Sequence, residues 1–344
     1  MAAKRKVAIG VVGLGYWGPN LVRNFAALED CELRWCCDHA EDALARLATA
    51  FPSTRFTREL ADLLDDSSLD AVAIATDVPS HARLALEVIG AGKHCFVEKP
   101  LSQSVVQAAE VAAAAQATGL TLMVGHLLEY HPGIAKLKEI VDAGDLGEVH
   151  YVYSNRLNLG KIRDDENALW SLGAHDVSVL LHLLDGEEPI EVQARGEAFV
   201  HPPVEDVVFC YLRFPSGRVA HMHLSWLDPH KERRFTVVGS RRMATFDDMA
   251  LEQKVTVYDK GFERDFRNYG EYITRSGDVM SPHISNEEPL RIECRHFVEC
   301  LSNGGEPSTG PASGIRTVRV LEALQRSLNA GGAVQRLEPA GRTA

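Results

Sequence analysis

The chain has 344 residues, a length that fits about two domains. Its hydrophobic share of 45% and charged share of 24% are those of an ordinary globular protein. A formal charge of -12 lacks the basic footprint that a general nucleic-acid binder needs, although a few local basic residues still suffice for an anionic small molecule. Met1-Ala2-Ala3-Lys4-Arg5-Lys6 leads straight into an apolar strand without the apolar core of a signal peptide, and no apolar run is long enough to span a membrane. Seven cysteines (Cys31, Cys36, Cys37, Cys95, Cys210, Cys294 and Cys300) are dispersed with no C-x-x-C pair, which fits reduced thiols. The expectation is a cytoplasmic protein with neither a nucleic-acid nor a membrane partner.

The chain opens on an apolar strand, Lys6 to Val12, followed by Gly13-Leu14-Gly15-Tyr16-Trp17-Gly18, a helical segment, and a second strand, Glu32 to Cys37, ending on Asp38. A G-x-G-x-x-G turn alone is weak evidence, but here strand, turn, helix, strand and acid occur in the order of the dinucleotide fingerprint. Gly13 permits the tight turn, Gly15 lets a pyrophosphate approach the backbone, and Gly18 lets the helix pack close to the strand. The helix N-terminus offers free N–H groups and a positive dipole end to the phosphates. Asp38 follows Gly18 at about the 20-residue spacing of the fingerprint, where a carboxylate binds ribose hydroxyls and repels a 2′-phosphate. The cofactor this predicts is NAD, with Gly13, Leu14, Gly15, Tyr16, Trp17, Gly18 and Asp38 as contacts.

The β/α alternation continues. Asp70 to Thr76 reads as a buried parallel strand, His81 to Ile89 as a helix stopped by Gly90-Ala91-Gly92, and Lys93 to Val97 as a strand followed by Glu98-Lys99-Pro100. Ser104 to Ala117 reads as an Ala-rich helix and Leu120 to Gly125 as a further strand. These runs predict a doubly wound parallel sheet over residues 1–125. From 126 to 344 the pattern changes. Ile134 to Ala143 is a helix, and then β-like runs dominate: Val149 to Leu157, Ile190 to Phe199, Val207 to Phe214, Val219 to Trp226, Phe235 to Gly239, Met243 to Phe246 and Lys254 to Tyr258. One helix, His175 to Leu184, interrupts them. The prediction is an α/β domain followed by an α+β domain, the second a largely antiparallel sheet of about six strands with a helix on one face. Asp259 to Glu288 reads as a long polar loop, Pro289 to Ser302 and Gly314 to Asn329 as helices, the first of which could return to the first domain, and the chain after Gly331 as a mobile tail. A sheet with one covered face needs a cover for the other, so a dimer or tetramer through that face is expected.

Ligands of an open α/β sheet sit at the carboxyl ends of its strands. The glycine turn falls there, as do Thr76 with Pro79 and His81, and Glu98-Lys99-Pro100, so Thr76, Pro79, His81, Glu98 and Lys99 join the expected cofactor contacts. A lysine at a strand end, shielded from water and facing oxidised nicotinamide, is expected to have a depressed pKa. Lys99 is thus the candidate base that takes a hydroxyl proton while hydride leaves the same carbon. His175, opening the helix of the second domain, is the candidate partner that shares a proton with the reacting oxygen. His221 and His223 share one face of a strand, but no third ligand at metal spacing accompanies them, and no metal is predicted.

These motifs together resemble the glucose–fructose oxidoreductase / inositol dehydrogenase / rhizopine catabolism (Gfo/Idh/MocA) family over nearly the whole chain. The likeness rests on the glycine turn, on Ala91-Gly92-Lys93-His94-Cys95-Phe96-Val97-Glu98-Lys99-Pro100, on Gly173-Ala174-His175, and on Glu293-Cys294-Arg295-His296-Phe297. The resemblance implies that Lys99 is catalytic and that His175 is the family histidine. Ser171 stands where many members have an aspartate, so the relay is expected to run through Lys99 and His175 alone. Leu128-Glu129-Tyr130 replaces a common Arg-Arg-Phe. The stretch from Tyr153 to Arg163, with Glu166 to Trp170, looks like members acting on sugars in nucleotide-sugar and antibiotic pathways, often at C3 ahead of transamination. Arg156, Asn158, Lys161 and Arg163 would supply donors for sugar hydroxyls or a phosphate, with Tyr153, Trp170 and His175 beside them and His283 and Asn286 as weaker candidates. The expected activity is NAD-dependent oxidation of a sugar ring hydroxyl. A ketoreductase running the reverse reaction and a non-catalytic NAD-binding sensor are the alternatives.

Overall fold

The computed structural model describes residues 5–160, 162–164, 166–265 and 271–338. The chain forms two compact units, one running to Tyr130 and including Glu287–Arg319, the other comprising His131–Asn286 and the chain from Val320 onward.

The first unit holds a six-stranded parallel sheet of β1 (Val7–Val12), β2 (Cys31–Cys37), β3 (Arg55–Thr57), β4 (Ala71–Ile74), β5 (His94–Glu98) and β6 (Leu122–Gly125). Its spatial order is β3-β2-β1-β4-β5-β6. β1 and β4 are buried at every position, as a strand covered on both faces must be, which is why their sequences are apolar without alternation. The crossovers are α1 (Gly18–Ala26), α2 (Glu41–Ala48), α3 (Leu60–Leu64), α4 (Val78–Gly90) and α5 (Val105–Thr118). α5 starts where the Ser104 hydroxyl accepts the Gln107 N–H at 3.3 Å, and stops at Gly119, whose φ of +68° favours glycine. β2 to β4 thus contain one more strand and two more helices than the sequence alone singles out; β3 is three residues long and leaves no periodic signal.

The second unit is built on α6 (Pro132–Asp142), α7 (Ala174–Leu183) and a nine-stranded mixed sheet. Its strands are β7 (Val149–Leu159), β8 (Glu191–Glu197), β9 (Val207–Arg213), β10 (Val219–Ser225), β11 (Leu227–Gly239), β12 (Met243–Asp247), β13 (Val255–Asp265), β14 (Glu271–Met280) and β15 (Gln335–Arg336). The order is β14-β13-β12-β11-β7-β10-β9-β8-β15, and only β7 and β10 pair in parallel. Two expectations are corrected here. Much of the segment read as a loop from Asp259 is strand instead, a hairpin of the second half of β13 and all of β14, and part of the supposed tail is β15, paired to β8. β14 is exposed nearly throughout, so no apolar alternation marks it. Backbone pairing holds it instead, with Arg275 bridging Asp259 at 2.5 Å and Glu263 at 3.1 Å. Along β9, Val208, Cys210 and Leu212 are buried, whereas Phe209 and Tyr211 are exposed on the opposite face.

Two further helices, α8 (Pro289–Asn303) and α9 (Pro311–Asn329), follow the hairpin. α8 belongs to the first unit and packs on α1. There Phe25 of α1, Phe96 of β5 and Phe297 of α8 meet edge to face, with ring centroids 5.6–6.4 Å apart. Arg23 adds a forked pair to both oxygens of Glu288, at 2.9 and 2.5 Å. All seven cysteines are buried free thiols. Among the described residues no helix is long and apolar enough to cross a membrane. Because Phe297 is fully enclosed, Phe297→Ala should destabilise the protein by about 3–5 kcal/mol in urea unfolding. Phe262→Ser, at a side chain 71% exposed, should stay within about 0.5 kcal/mol of the parent.

Candidate active site

In the first unit the site grows from the glycine turn. Gly13 has φ +89°, and a Cβ there would lie 2.7 Å from the Ala75 and Thr76 backbone. A Cβ on Gly18 would stand 1.9 Å from the Gly13 carbonyl oxygen, so α1 starts against the turn only because neither residue has a side chain. A Cβ on Gly15 meets nothing within 4 Å, which leaves the open approach that a pyrophosphate requires. Asp38, at the end of β2, accepts the Leu14 N–H at 2.6 Å on one oxygen and the Ala40 N–H at 2.8 Å on the other. A carboxylate has about four lone-pair positions, so two remain for the hydroxyls of a ribose. The residues therefore fit a dinucleotide without a 2′-phosphate.

At the end of β5, Glu98 is buried and Lys99 is half-buried. The Glu98 carboxylate accepts the Trp17 indole N–H at 2.6 Å and the Lys99 backbone N–H at 3.3 Å. Burial pushes its pKa up, while Trp17 and the Lys99 charge pull it down. Lys99 joins Pro100 through a cis peptide. The Thr76 hydroxyl meets that of Ser80 at 2.6 Å, and Pro79 is exposed at the start of α4.

In the second unit a single wide π-type turn, Leu169–Gly173, runs into α7, and half-buried His175 stands in the first turn of that helix. A Cβ on Gly173 would lie 2.9 Å from Leu224, so this turn lies tightly on β10. Next to His175, Asp176 is fully buried and takes a 2.5 Å bond from Arg156 of β7. Desolvation outweighs that arginine, and the Asp176 pKa is raised.

The model of the oxidoreductase family with an NAD-binding Rossmann fold matches residues 7–126, and the model of the Gfo/Idh/MocA C-terminal domain matches residues 134–245. UDP-N-acetylglucosamine 3-dehydrogenase of Acidithiobacillus ferrooxidans is 30% identical over 253 residues, covering 73% of this chain and 77% of the relative. The chain belongs to the Gfo/Idh/MocA oxidoreductase family. NAD is its cofactor. The NAD-dependent scyllo-inositol 2-dehydrogenase of Bacillus subtilis is 25% identical, covering 96% of this chain and 97% of the relative. The crystal structure of GenD2 from gentamicin A biosynthesis, in complex with NAD, aligns with a TM-score of 0.83 at 26% identity and covers 98% of each chain.

Set against the family pattern, several expected contacts change role. His81 is 1% exposed, and its ring nitrogens face the carbonyls of Pro100 at 2.8 Å and Thr76 at 3.1 Å. It is a strut between two loops. Arg156 is 6% exposed and bonded to Asp176. Strand parity separates Tyr153 from Arg156 and Asn158: Tyr153 lies on the open face of the sheet, stacked on His221 at 5.1 Å. Arg163 pairs with Glu166 at 3.0 Å, and the Trp170 indole donates to Gln325 at 3.0 Å. Lys161 lies outside the described residues. His283 and Asn286 are exposed in the segment between β14 and α8. Tyr16 is 95% exposed beside Gly15. Sequence reasoning missed Asp176 and Gln325 as supports. Asp176 adjoins His175, but only its burial identifies its partner.

The geometry of the turn separates binding from folding. Gly15→Val should leave the melting temperature within about 2 °C, because its Cβ enters open space, yet weaken NAD binding at least tenfold by calorimetry. Gly18→Ala, driven into the Gly13 carbonyl, should instead destabilise by about 3 kcal/mol or more.

Proposed function

We propose that this protein oxidises a secondary hydroxyl of a sugar ring, at C3, to the ketone. The observation that carries the reading is Lys99 in Glu98-Lys99-Pro100 at the end of β5, linked through Glu98 to Trp17 of the glycine turn. Bound NAD supplies the hydride acceptor. Lys99 takes the hydroxyl proton as the C–O bond becomes C=O and the carbon loses hydride with its electron pair. His175 is the second acid–base group, orienting the substrate oxygen or relaying its proton. The likeness to a UDP-N-acetylglucosamine 3-dehydrogenase and to GenD2 supports a nucleotide sugar or an aminoglycoside-type sugar as substrate. A 3-ketone is the electrophile that a transaminase needs, which supports a reading ahead of amination in sugar biosynthesis. Asn158 of β7 is a described donor of that stretch.

NADH formation at 340 nm against nucleotide sugars, free sugars and aminoglycosides tests the reading. Turnover with one class, preferring NAD to NADP, is expected. Lys99→Met should lower kcat about 10²–10⁴-fold while NADH binding is retained, and His175→Gln should be tested in the same assay. Oxidation of NADH by a keto sugar, with no reduction of NAD, would favour the ketoreductase direction. Biological function surviving Lys99→Met would favour a sensor.

The open face of the nine-stranded sheet supports self-association. Phe209 and Tyr211 are exposed there, and Phe209 stacks on His223 at 4.4 Å. A dimer or tetramer in light scattering, shifted to smaller species by Phe209→Asp, is the expected result. A monomeric parent protein would remove this assignment.

A further inference from the structure

Glu98 occupies an unusual position for a carboxylate. It is 9% exposed, and its two oxygens serve different parts of the molecule: one accepts the Trp17 indole from the glycine turn, the other the backbone N–H of Lys99. A Cβ on Gly125 of β6 would lie 3.1 Å from Glu98 Cδ and Oε2, so the neighbouring strand is cut back to make room for this side chain. Only the ionised carboxylate accepts strongly at both oxygens; a protonated one turns an oxygen into a donor that faces an N–H.

We propose that Glu98 is a positioning residue that holds the glycine turn and the Lys99 backbone in one register while it is ionised, so that affinity for the pyrophosphate half of the cofactor falls as Glu98 takes up a proton. The groups around it set where that happens. Glu293 and Cys294 of α8, Glu129 and Tyr130 of the turn after β6, His126 and Lys99 surround this part of the unit. Glu293 is fully buried with neither oxygen hydrogen-bonded among the described residues, and burial together with Glu98 and Glu129 pushes its pKa well up. Its surroundings thus disfavour the ionised form. His126 is held neutral, its pKa pushed down to about 3 by burial and by the Lys99 charge. Glu98 has two N–H donors on its carboxylate and the Lys99 charge favouring ionisation. Burial still moves its titration upward from the ordinary carboxylate range toward neutral pH. The register is present above that titration and lost as the pH falls through it.

ADP-ribose, which carries the pyrophosphate but no nicotinamide, is the probe, measured by calorimetry from about pH 5 to 8.5. This reading goes beyond sugar oxidation, and the readout needs no turnover. The parent should lose about tenfold in ADP-ribose affinity toward acid pH. Glu98→Gln and Trp17→Phe should bind more weakly than the parent at pH 8, with affinities that no longer depend on pH. Glu293→Gln should retain the acid limb. Trp17 supplies a direct signal: intrinsic fluorescence should change with pH over the same range in the parent and in Glu293→Gln, but not in Glu98→Gln or Trp17→Phe. An acid limb that persists in both Glu98→Gln and Trp17→Phe, or one abolished only by Glu293→Gln, overturns the assignment. If Glu98→Gln does not fold, Trp17→Phe decides alone.

Discussion

The close backbone approach at the glycine turn is the constraint on which the first unit depends. Gly18 stands where any side chain would strike the Gly13 carbonyl, and Gly13 stands where one would strike the end of β4 at Ala75 and Thr76. Two missing side chains thereby bring the start of α1, the end of β1 and the end of β4 to one point. The remaining parts of the cofactor site are attached to it by hydrogen bonds. Asp38 reaches the Leu14 N–H, Trp17 reaches Glu98, and Glu98 reaches the Lys99 N–H. A dinucleotide site and a candidate base thus share one backbone frame.

Much of this frame was legible because it follows from contacts near in sequence or from a fixed spacing. Parallel strands covered on both faces have to be apolar throughout, so β1 and β4 stand out as runs. The glycines are required by backbone geometry, and Asp38 by the reach of β2. Lys99 follows from the rule that ligands meet parallel strands at their carboxyl ends. His175 stood out for opening the helix of the second domain, but nothing in its own spacing distinguishes a site histidine from one at a helix terminus, and the family resemblance added the distinction.

What escaped the sequence depends on partners far along the chain or on the absence of burial. The second half of β13 and all of β14 form through backbone pairing and Arg275 ion pairs, so hydrophobic alternation has nothing to register there, whereas the buried Val255 and Val257 mark the first half that the sequence does show. β15 is two residues long and gains its identity from β8. Arg156 and Tyr153 are three residues apart and were grouped together by composition. Their odd separation puts them on opposite faces of β7, one sealed against Asp176 and one stacked with His221 on the open face. Trp170 finds Gln325 across 155 residues, a contact no local pattern encodes.

The two candidate proton-handling residues share one physical arrangement. Lys99 and His175 are each half-buried, and a buried polar residue stands directly behind each. Behind Lys99, His81 faces the Pro100 carbonyl and Glu98 takes the Lys99 N–H. Behind His175, Asp176 locks onto Arg156 and ties α7 to β7. Removing one partner of the buried Arg156–Asp176 pair costs about 3–5 kcal/mol, because the other group stays behind without compensation. Residue type and position therefore disclose the reactive group, which must meet a ligand, while the supporting group discloses itself only through the partner that burial obliges it to have. That is why the structural partners of His81 and Arg156, both polar and both close to the candidate chemistry in sequence, could not be read from the sequence.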